Sequence, residues 1–303
     1  MNASAHARSS KASVTMTILR SIPQRLCAVA VLALAATFPL VASAQTPAPS
    51  TLPLEPARER GVSVTPAYEG WYENADGSFT LLVGYFNRNK AETFDIPVGP
   101  NNKVEPGNVD QGQPTHFAIG RNWGVFAIKV PKDFGTKTLT WTIVSNGESQ
   151  SIPLGVTKGY TITPFVESGM GNRPPEFTFA PGGPKFTGPP TAVATTLTST
   201  VNTPVEIKLW VEDQAETKKG LKSGREAPGI ANVSFHKFRG PGKVAFEPAR
   251  MPVAKQGDMV STKATFTLPG EYLVRVQGND ESGEGGAGFQ CCWTNTFVKV
   301  SVR

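Results

Sequence analysis

Residues 269–277 read PGEYLVRVQ. Large apolar side chains occupy every second position from Tyr272 to Val276, with Arg275 and Gln277 among the residues that alternate with them. Because successive side chains of a β-strand point to opposite faces, this period of two predicts a strand with one buried face. The same period occurs at 205–212 and 298–302, so the C-terminal part of the chain is predicted to be built from strands.

Turn-forming residues separate short alternating runs along the whole chain. The sequence holds 30 Gly and 26 Pro in 303 residues, and only 18% of the residues are charged. NADG at 74–77 and Asn146-Gly147 are predicted hairpin turns, because Gly readily takes the positive φ that such turns need. No long run with the 3.6-residue period of a helix follows residue 44. This pattern predicts an all-β protein made of sandwiches.

The first 44 residues have the pattern of an export signal. They contain no Asp or Glu, carry four basic residues before an apolar run at 26–40, and end in VASA. A charged segment, an apolar core and small residues before a cleavage point define a secretory signal peptide. We therefore predict a signal peptide at 1–44, translation from Met1 or Met16, and a periplasmic or extracellular mature protein.

Charge and hydropathy argue against two classes of partner. Removing the four basic residues of the leader from the total of 30 leaves 26, against 24 acidic residues. A chain this close to neutrality, without a cluster of Lys and Arg, is not expected to bind nucleic acid or anionic membranes. After residue 44 the sequence has no segment apolar enough to span a bilayer.

Composition divides the rest of the chain into four segments. The Pro- and Ala-rich stretch at 45–62 is predicted to be a flexible tail, and 63–155 a first β-sandwich domain. Residues 156–190 contain RPP, PGGP and GPP, which interrupt helices and central strands, and form the predicted linker. Residues 191–303 form the predicted second β-sandwich domain.

The second domain resembles a known group of sandwiches. Its Gly-x-Tyr-x-Val-x-Val motif at 270–276, followed by Asp280, resembles the penultimate strand of PKD-like and cadherin-like immunoglobulin sandwiches. Residues 203–207 are similar to the second strand of that group, and 297–302 to its last strand. With this resemblance, the expected fold is two immunoglobulin-like β-sandwich domains joined by a Pro/Gly-rich linker.

The mature chain also resembles a group of exported proteins of environmental bacteria to which no activity is assigned. GYFNRN at 84–89, GQPTHF at 112–117 and GFQCCWTN at 288–295 carry this resemblance. It implies export and no particular chemistry.

A long segment at 97–122 has few apolar residues and many amide side chains. Loops of this length in compact domains are commonly functional or mobile. Amide and imidazole groups suit hydrogen bonding to a polar ligand or a protein partner. The candidates for such a surface are Asn101, Asn102, Asn108, Gln111, Gln113 and His116.

Acidic turns follow two strands of the second domain. Carboxylate and amide oxygens that converge at one end of a sandwich are the hard ligands that Ca²⁺ prefers. The alternative is that these side chains are solvated turn residues without a ligand. The candidate calcium residues are Glu212, Asp213, Asn279, Asp280 and Glu281.

Two adjacent cysteines, Cys291 and Cys292, remain once the leader is removed. In an oxidising compartment they can form a vicinal disulfide. Across a trans peptide their Cα atoms would lie about 3.8 Å apart, below the usual disulfide range of about 4.4–6.8 Å. The alternatives are reduced or intermolecular thiols, and a redox or ligand-gating role, and the sequence leaves them open.

Signatures of catalysis are sparse. After the leader the chain has two histidines, His116 and His236, and it lacks the Gly-x-Ser-x-Gly motif of α/β-hydrolases. A zinc or copper site is therefore not expected. The sequence favours a non-enzymatic exported binding or interaction module over an enzyme. The alternatives are a carbohydrate-binding accessory protein and a hydrolase with a site between its domains.

Aromatic residues of the first domain bear on the carbohydrate alternative. Their rings either stack on sugars at the surface or fill the core. The residues concerned are Trp71, Tyr72, Tyr85, Phe86, Trp123 and Trp141.

Overall fold

β-Strands provide the regular structure of this protein. A computed structural model describes residues 58–163, 165–166, 171–213, 229–280 and 291–303. Within these ranges there are strands and one 3₁₀ turn but no α-helix, which confirms the all-β prediction. No helix in the described part is long and apolar enough to cross a membrane. The predicted leader, the predicted tail up to residue 57 and Glu281 lie outside the described residues.

The first sandwich contains two main sheets. Its strands are β1 (Thr65–Glu73), β2 (Phe79–Asn87), β3 (Phe94–Asp95), β4 (Asn102–Glu105), β5 (His116–Phe117), β6 (Gly120–Val130), β7 (Thr138–Ser145) and β8 (Glu148–Gly155). One sheet has the order β1-β2-β6, the other has the order β4-β7-β8, and β3 pairs with β5. Apolar side chains from both sheets form one core, in which Leu81, Val104 and Trp141 are completely buried.

Two tight turns set the strand register of the first sandwich. In the β1–β2 turn, Gly77 has a φ of 77°, and the Ser78 amide donates a 3.0 Å hydrogen bond to Asp76 Oδ1. In the β7–β8 turn, Asn146 and Gly147 have φ values of 48° and 78°. Positive φ at both central residues is the mark of the type I′ turn, which matches the twist of paired strands.

The second sandwich has a four-stranded and a five-stranded sheet. Its strands are β9 (Glu176–Thr178), β10 (Val193–Ser199), β11 (Val205–Glu212), β12 (Ala231–Arg239), β13 (Val244–Glu247), β14 (Arg250–Val253), β15 (Asp258–Phe266), β16 (Gly270–Asp280) and β17 (Trp293–Val302). The sheets have the orders β13-β15-β11-β9 and β10-β17-β16-β12-β14, and β10 runs parallel to β17. The strands β9, β11, β15 and β13 thus take the places of A, B, E and D in an immunoglobulin sandwich, and β12, β16 and β17 those of C, F and G.

Tyr272 supports the same assignment. It lies near the start of β16, it is buried, and its hydroxyl donates a 2.8 Å hydrogen bond to the Leu268 carbonyl. The Gly242 amide donates a 3.0 Å hydrogen bond to the same hydroxyl. A tyrosine at the start of strand F, bonded to the backbone a few residues upstream, is the tyrosine corner of immunoglobulin-type sandwiches. The motif at 270–276 therefore folds as its resemblance implies.

The Pro-rich segment predicted as a linker contains a strand of the second sandwich. Glu176–Thr178 form β9, which pairs with the end of β11, and Phe177 is completely buried. The Phe177 amide and carbonyl also exchange hydrogen bonds with Phe186. This part of the segment is packed on the sheet. The predicted domain boundaries themselves stay predictions, since both sandwiches belong to one compact unit from Pro56 to Arg303.

The outer face of the five-stranded sheet packs against the first sandwich. Tyr272, Val274 and Val276 point into the core of the second sandwich. The side chains between them point outward, yet Arg275 and Gln277 are buried, and Leu273 packs against the core of the first sandwich. Because this sheet is covered on both faces, the polar side chains of β16 lie at the junction of the two sandwiches.

Candidate binding cleft at the sandwich junction

Close backbone contacts hold the junction together. The Asn295 side-chain amide donates 3.1 Å hydrogen bonds to the carbonyls of Trp123 and Gly124, and Arg275 Nη2 donates a 2.6 Å bond to Asn122 Oδ1. The indole of Trp293 lies directly over Gly124. Strands β16 and β17 of the second sandwich are therefore fixed on the first residues of β6.

A buried carboxylate lies beside this contact. Glu69 on β1 is fully buried, and its Oε1 is 2.9 Å from Arg121 Nη2, while the Gly124 amide donates a 2.9 Å hydrogen bond to Oε2. Burial raises the pKa of Glu69 from 4.5 to about 7, although the charge of Arg121 acts in the opposite direction. Loss of hydration at this position thus outweighs the ion pair.

The raised pKa of Glu69 predicts a dependence of stability on pH. Since this pKa rises from 4.5 to about 7, the folded protein retains a proton that the unfolded chain releases. The stability due to the protonated form is complete below pH 4.5 and is lost as the pH rises to about 7. We expect Glu69→Gln, which stays neutral, to gain about 3 kcal/mol of unfolding free energy relative to the native protein across this window. Urea denaturation of both proteins between pH 4.5 and pH 8 measures the difference.

The comparison with Glu69→Gln is needed because His236 acts in the opposite direction. Burial lowers the pKa of His236 from 6.5 to about 3, so the unfolded chain binds the additional proton and stability rises with pH up to 6.5. This contribution is present in both proteins and cancels in the difference. A difference that stays constant between pH 4.5 and pH 8 would contradict the environment assigned to Glu69.

A cleft of about 720 Å³ opens at the same junction. The first sandwich contributes Tyr72 at the end of β1 to its wall, and the second contributes Glu212 and Asp213 at the end of β11. The remaining lining residues come from the Pro-rich segment and its continuation, and from the turn before β15: Phe165, Arg173, Pro174, Glu176, Lys185, Thr187, Gly188, Pro189, Thr191, Gln256 and Gly257. A cavity of this size is in the range that holds small ligands.

Aromatic rings form one side of the cleft. The Tyr72 and Phe165 rings meet edge to face with centroids 6.0 Å apart, and Phe165 meets Trp293 in the same way at 5.1 Å. Trp293 is completely buried, whereas Tyr72 is partly exposed. Burial raises the pKa of the Tyr72 hydroxyl above its ordinary value. The rings thus offer an apolar surface with one hydroxyl group.

The adjacent cysteines lie next to Asn172, which directly precedes the lining residues Arg173 and Pro174. Cys291 and Cys292 are joined in a disulfide and both are buried. Cys291 Sγ is 3.6 Å from the Asn172 carbonyl oxygen, and the Asp280 amide donates a 3.2 Å hydrogen bond to the Cys292 carbonyl. The Asn172 side-chain amide donates a 2.7 Å hydrogen bond to Asp280 Oδ2. The wall residues that follow Asn172 are therefore attached to the ends of β16 and β17.

The predicted polar surface at 97–122 separates into buried and accessible residues. Asn102 and Gln113 are completely buried, so they do not face a partner in this structure. Asn102 Nδ2 donates to the carbonyls of Ile96 and Pro114, at 2.9 and 2.7 Å. Gln113 Nε2 donates a 2.7 Å hydrogen bond to the Val109 carbonyl. The amides of Asn102 and Gln113 therefore hold the segment itself together.

The other residues of that surface are at least partly accessible. Asn101 and Asn108 are exposed, and Gln111 and His116 are partly exposed. The neighbouring Asp110 forms a two-point ion pair with Arg239 of β12, at 2.7 and 3.0 Å. The segment is thus fastened to the second sandwich, and a partner role for its accessible side chains stays a prediction.

His116 and Asp95 are arranged like part of a catalytic triad. Its Nδ1 is 3.0 Å from Asp95 Oδ1, and Lys237 Nζ is 2.7 Å from the same oxygen. Within the described ranges, no Ser, Thr or Cys side chain is hydrogen-bonded to His116. Among the described residues, no hydroxyl or thiol is thus placed beside this pair as a nucleophile for acyl transfer, and neither His116 nor Asp95 lines the cleft.

The predicted calcium residues come from the ends of two strands, β11 and β16. Glu212 and Asp213 line the cleft, with Glu212 exposed and Asp213 buried. Asn279 and Asp280 lie at the end of β16, and Glu281 is outside the described residues. Across the described ranges no group of three or more His, Cys, Asp or Glu side chains is arranged to hold a metal ion. Calcium binding stays a prediction.

Most of the six aromatic residues predicted as possible sugar contacts are buried or pack against other side chains of the protein. Trp141 and Tyr85 are buried, and Trp71 meets Phe79 edge to face with its indole nitrogen bonded to the Thr157 carbonyl. The Arg121 guanidinium lies 3.8 Å from the centre of the Trp123 ring. Phe86 is partly exposed, with the Arg88 guanidinium 5.0 Å from the centre of its ring. Of the six residues, Tyr72 is the one that lines the cleft.

No family model matches the chain, and no curated protein matches it. Three solved structures are similar at a low level, each with 11% sequence identity. WR4, an MSP family member of C. elegans, has a TM-score of 0.23, and the match covers 35% of this chain and 92% of that one. Domains 4 and 5 of the S-layer protein SbsC have a TM-score of 0.21 with coverages of 80% and 98%, and the D00–D0 domain of intimin has a TM-score of 0.23 with coverages of 78% and 99%. Similarity at these TM-scores does not assign the protein to any of these families. The class of the protein therefore rests on its own strand order: an all-β chain of two packed sandwiches, the second with immunoglobulin topology.

Proposed function

We propose that this chain is an exported, non-enzymatic binding module whose ligand occupies the junction cleft. The observation that carries the proposal is the cleft of about 720 Å³, to which both sandwiches contribute charged or aromatic side chains. Sites at the interface of packed units, with apolar walls and a few polar groups, are the usual positions of ligands. The leader at 1–44 supports export.

The absence of a nucleophile beside His116 within the described residues favours binding over acyl-transfer catalysis. A carbohydrate-binding accessory protein and a hydrolase stay the alternatives. The Arg121 guanidinium lies over the Trp123 ring, and Trp141 is buried, so neither ring offers a flat exposed surface on which a sugar could stack.

A pair of matched substitutions tests this function. Thr191 is exposed and lines the cleft, so Thr191→Trp is expected to fill it without touching the core. Thr198 is exposed on β10 and does not line the cleft, so Thr198→Trp is the control. Native mass spectrometry would detect complexes with two probe sets: short neutral and charged tripeptides, and maltotriose, cellotriose and chitotriose.

We expect a tripeptide to bind the native protein and Thr198→Trp, with at least a tenfold loss in Thr191→Trp. The bound probe is expected to keep its intact mass. Binding of the trisaccharides alone would favour the carbohydrate alternative, and probe masses that show hydrolysis would favour the hydrolase. Binding of neither set, or binding that Thr191→Trp leaves unchanged, would overturn the cleft as the site.

A further inference from the structure

We infer that the cleft takes a ligand that joins one carboxylate to an apolar or aromatic group, with Arg173 as the partner of the carboxylate. The inference rests on the proposed function and names the chemical class of its ligand. It follows from the charges that line the cleft, from the way Arg173 is held, and from the rings beside it.

Several charges that line the cleft are paired with one another. Lys185 forms ion pairs with both Glu176 and Glu212, the latter at 3.1 Å. The hydrogen bond to Glu176, and then that to Glu212, raises the pKa of Lys185 above its ordinary value. Asp213 is buried and has interactions within the protein, and its backbone amide donates a 2.6 Å hydrogen bond to Gln256 Oε1.

Arg173 is the other cation that lines the cleft, and it is not part of the ion pairs of Lys185. Its side chain is exposed, and within the described ranges its guanidinium has no hydrogen bond or ion pair. A guanidinium presents paired N–H donors that match a carboxylate in a two-point hydrogen bond. A free Arg at a cleft wall is therefore suited to an anionic ligand group.

The backbone at Arg173 is held firmly, although its side chain is free. The Arg173 amide donates a 3.0 Å hydrogen bond to Asn172 Oδ1, and Asn172 is itself buried and bonded to Asp280. Pro174 and Pro175 follow and are buried, and the Thr294 hydroxyl donates to the Pro175 carbonyl. Because the backbone is fixed, binding of an anion has to order only the side chain of Arg173.

The remaining charges restrict the kind of anion. The lining residues include two cations, Arg173 and Lys185, against three acids, Glu176, Glu212 and Asp213. Extra negative charge in this setting is repelled, which disfavours phosphates and dicarboxylates. A single carboxylate on an otherwise uncharged ligand meets less of this repulsion than a doubly charged anion, and it can pair with Arg173.

The rings of Tyr72 and Phe165 define the rest of the ligand. Both line the cleft and form a continuous aromatic contact with buried Trp293. Such a surface favours an apolar or aromatic group over a sugar with hydroxyls on both faces. A peptide that ends in an apolar residue combines this group with a terminal carboxylate.

The test uses a matched pair of probes, N-acetyl-Ala-Ala-Phe with a free carboxylate and the same peptide as its C-terminal amide. Isothermal titration calorimetry would compare the native protein with Arg173→Gln and Arg173→Lys. Arg250→Gln is the control, since Arg250 is an exposed residue of β14 that does not line the cleft.

We expect the native protein and Arg250→Gln to bind the acid at least tenfold more tightly than the amide. Arg173→Gln is expected to abolish this preference, and Arg173→Lys to retain part of it, because an ammonium keeps the charge but not the paired donors. Equal binding of acid and amide by the native protein would overturn the inference, as would a preference that survives in Arg173→Gln, or binding of neither probe.

These outcomes separate the inference from the proposed function. If acid and amide bind equally and Thr191→Trp removes both, the cleft is the site and the carboxylate is not what it recognises. If Thr191→Trp leaves the binding of both peptides unchanged, the site itself is wrong.

Discussion

Gly124→Ala is expected to lower the free energy of unfolding by about 4 kcal/mol. A Cβ at this position would lie 1.9 Å from Cη2 of Trp293, whose ring is completely buried. The backbone of Gly124 has little room to move away, because its amide is bonded to Glu69 and its carbonyl to Asn295. The φ of 48° adds the cost of a left-handed conformation to the cost of overpacking.

Gly147→Ala separates these two costs. Gly147 has a φ of 78°, but nothing lies within 4 Å of the position its Cβ would take. We expect this substitution to cost about 1 kcal/mol, the conformational cost alone. Urea denaturation followed by tryptophan fluorescence gives both values. Similar losses in the two variants would show that Trp293 does not press on Gly124.

Asn102→Leu is expected to cost about 4 kcal/mol of unfolding free energy. Leucine has a similar size but removes the partners of three buried groups: the Ile96 and Pro114 carbonyls and the Trp141 indole N–H, which donates a 3.0 Å hydrogen bond to Asn102 Oδ1. Each buried polar group left without a partner costs about 1–3 kcal/mol. Thermal or urea denaturation measures the loss.

Asn101→Leu is the matched control for this prediction. Asn101 is the preceding residue, and its side chain is exposed. Its carbonyl accepts a 2.9 Å hydrogen bond from the Val144 amide, which the substitution leaves intact. We expect a change of less than about 0.5 kcal/mol. If Asn102→Leu were as stable as Asn101→Leu, the structural role given to Asn102 would be wrong.

The long strands were predictable from the sequence because each has a regular period and a clear boundary. The runs around Val205–Glu212 and Gly270–Asp280 are such cases, and the turn at Asn146-Gly147 marks its hairpin. The short strands β4 and β5 were not predicted, because two to four residues carry no measurable period. β9 was not predicted either, because it has only three residues and lies among prolines.

The burial of polar residues was the main point that local patterns did not indicate. Asn102 was predicted to belong to a ligand or partner surface because it lies in a long polar segment, yet its side chain satisfies buried carbonyls. Arg275 was expected on a polar face of its strand, and the first sandwich covers that face. Such burial depends on which surfaces meet in three dimensions, which a period of two does not specify.

The cleft was predictable only in part. Glu212 and Asp213 were singled out, as candidate calcium ligands, and both line the cleft. Tyr72, Arg173 and Lys185 were not connected with them, because they come from distant segments that meet only after the sandwiches pack. The available signal was the interleaving of aromatic and charged residues with the prolines of 156–190.

The seat of Trp293 on Gly124 limits how this protein can be cut and recombined. A fragment that ends before β10 would leave Gly124 and the neighbouring backbone uncovered, and a fragment that starts there would present a large indole to water. Exchange of one half for that of a distant relative would meet the same obstacle, because the ring and the glycine must be inherited together. We therefore expect the two sandwiches to be inherited together in evolution and to be expressed best as a single unit.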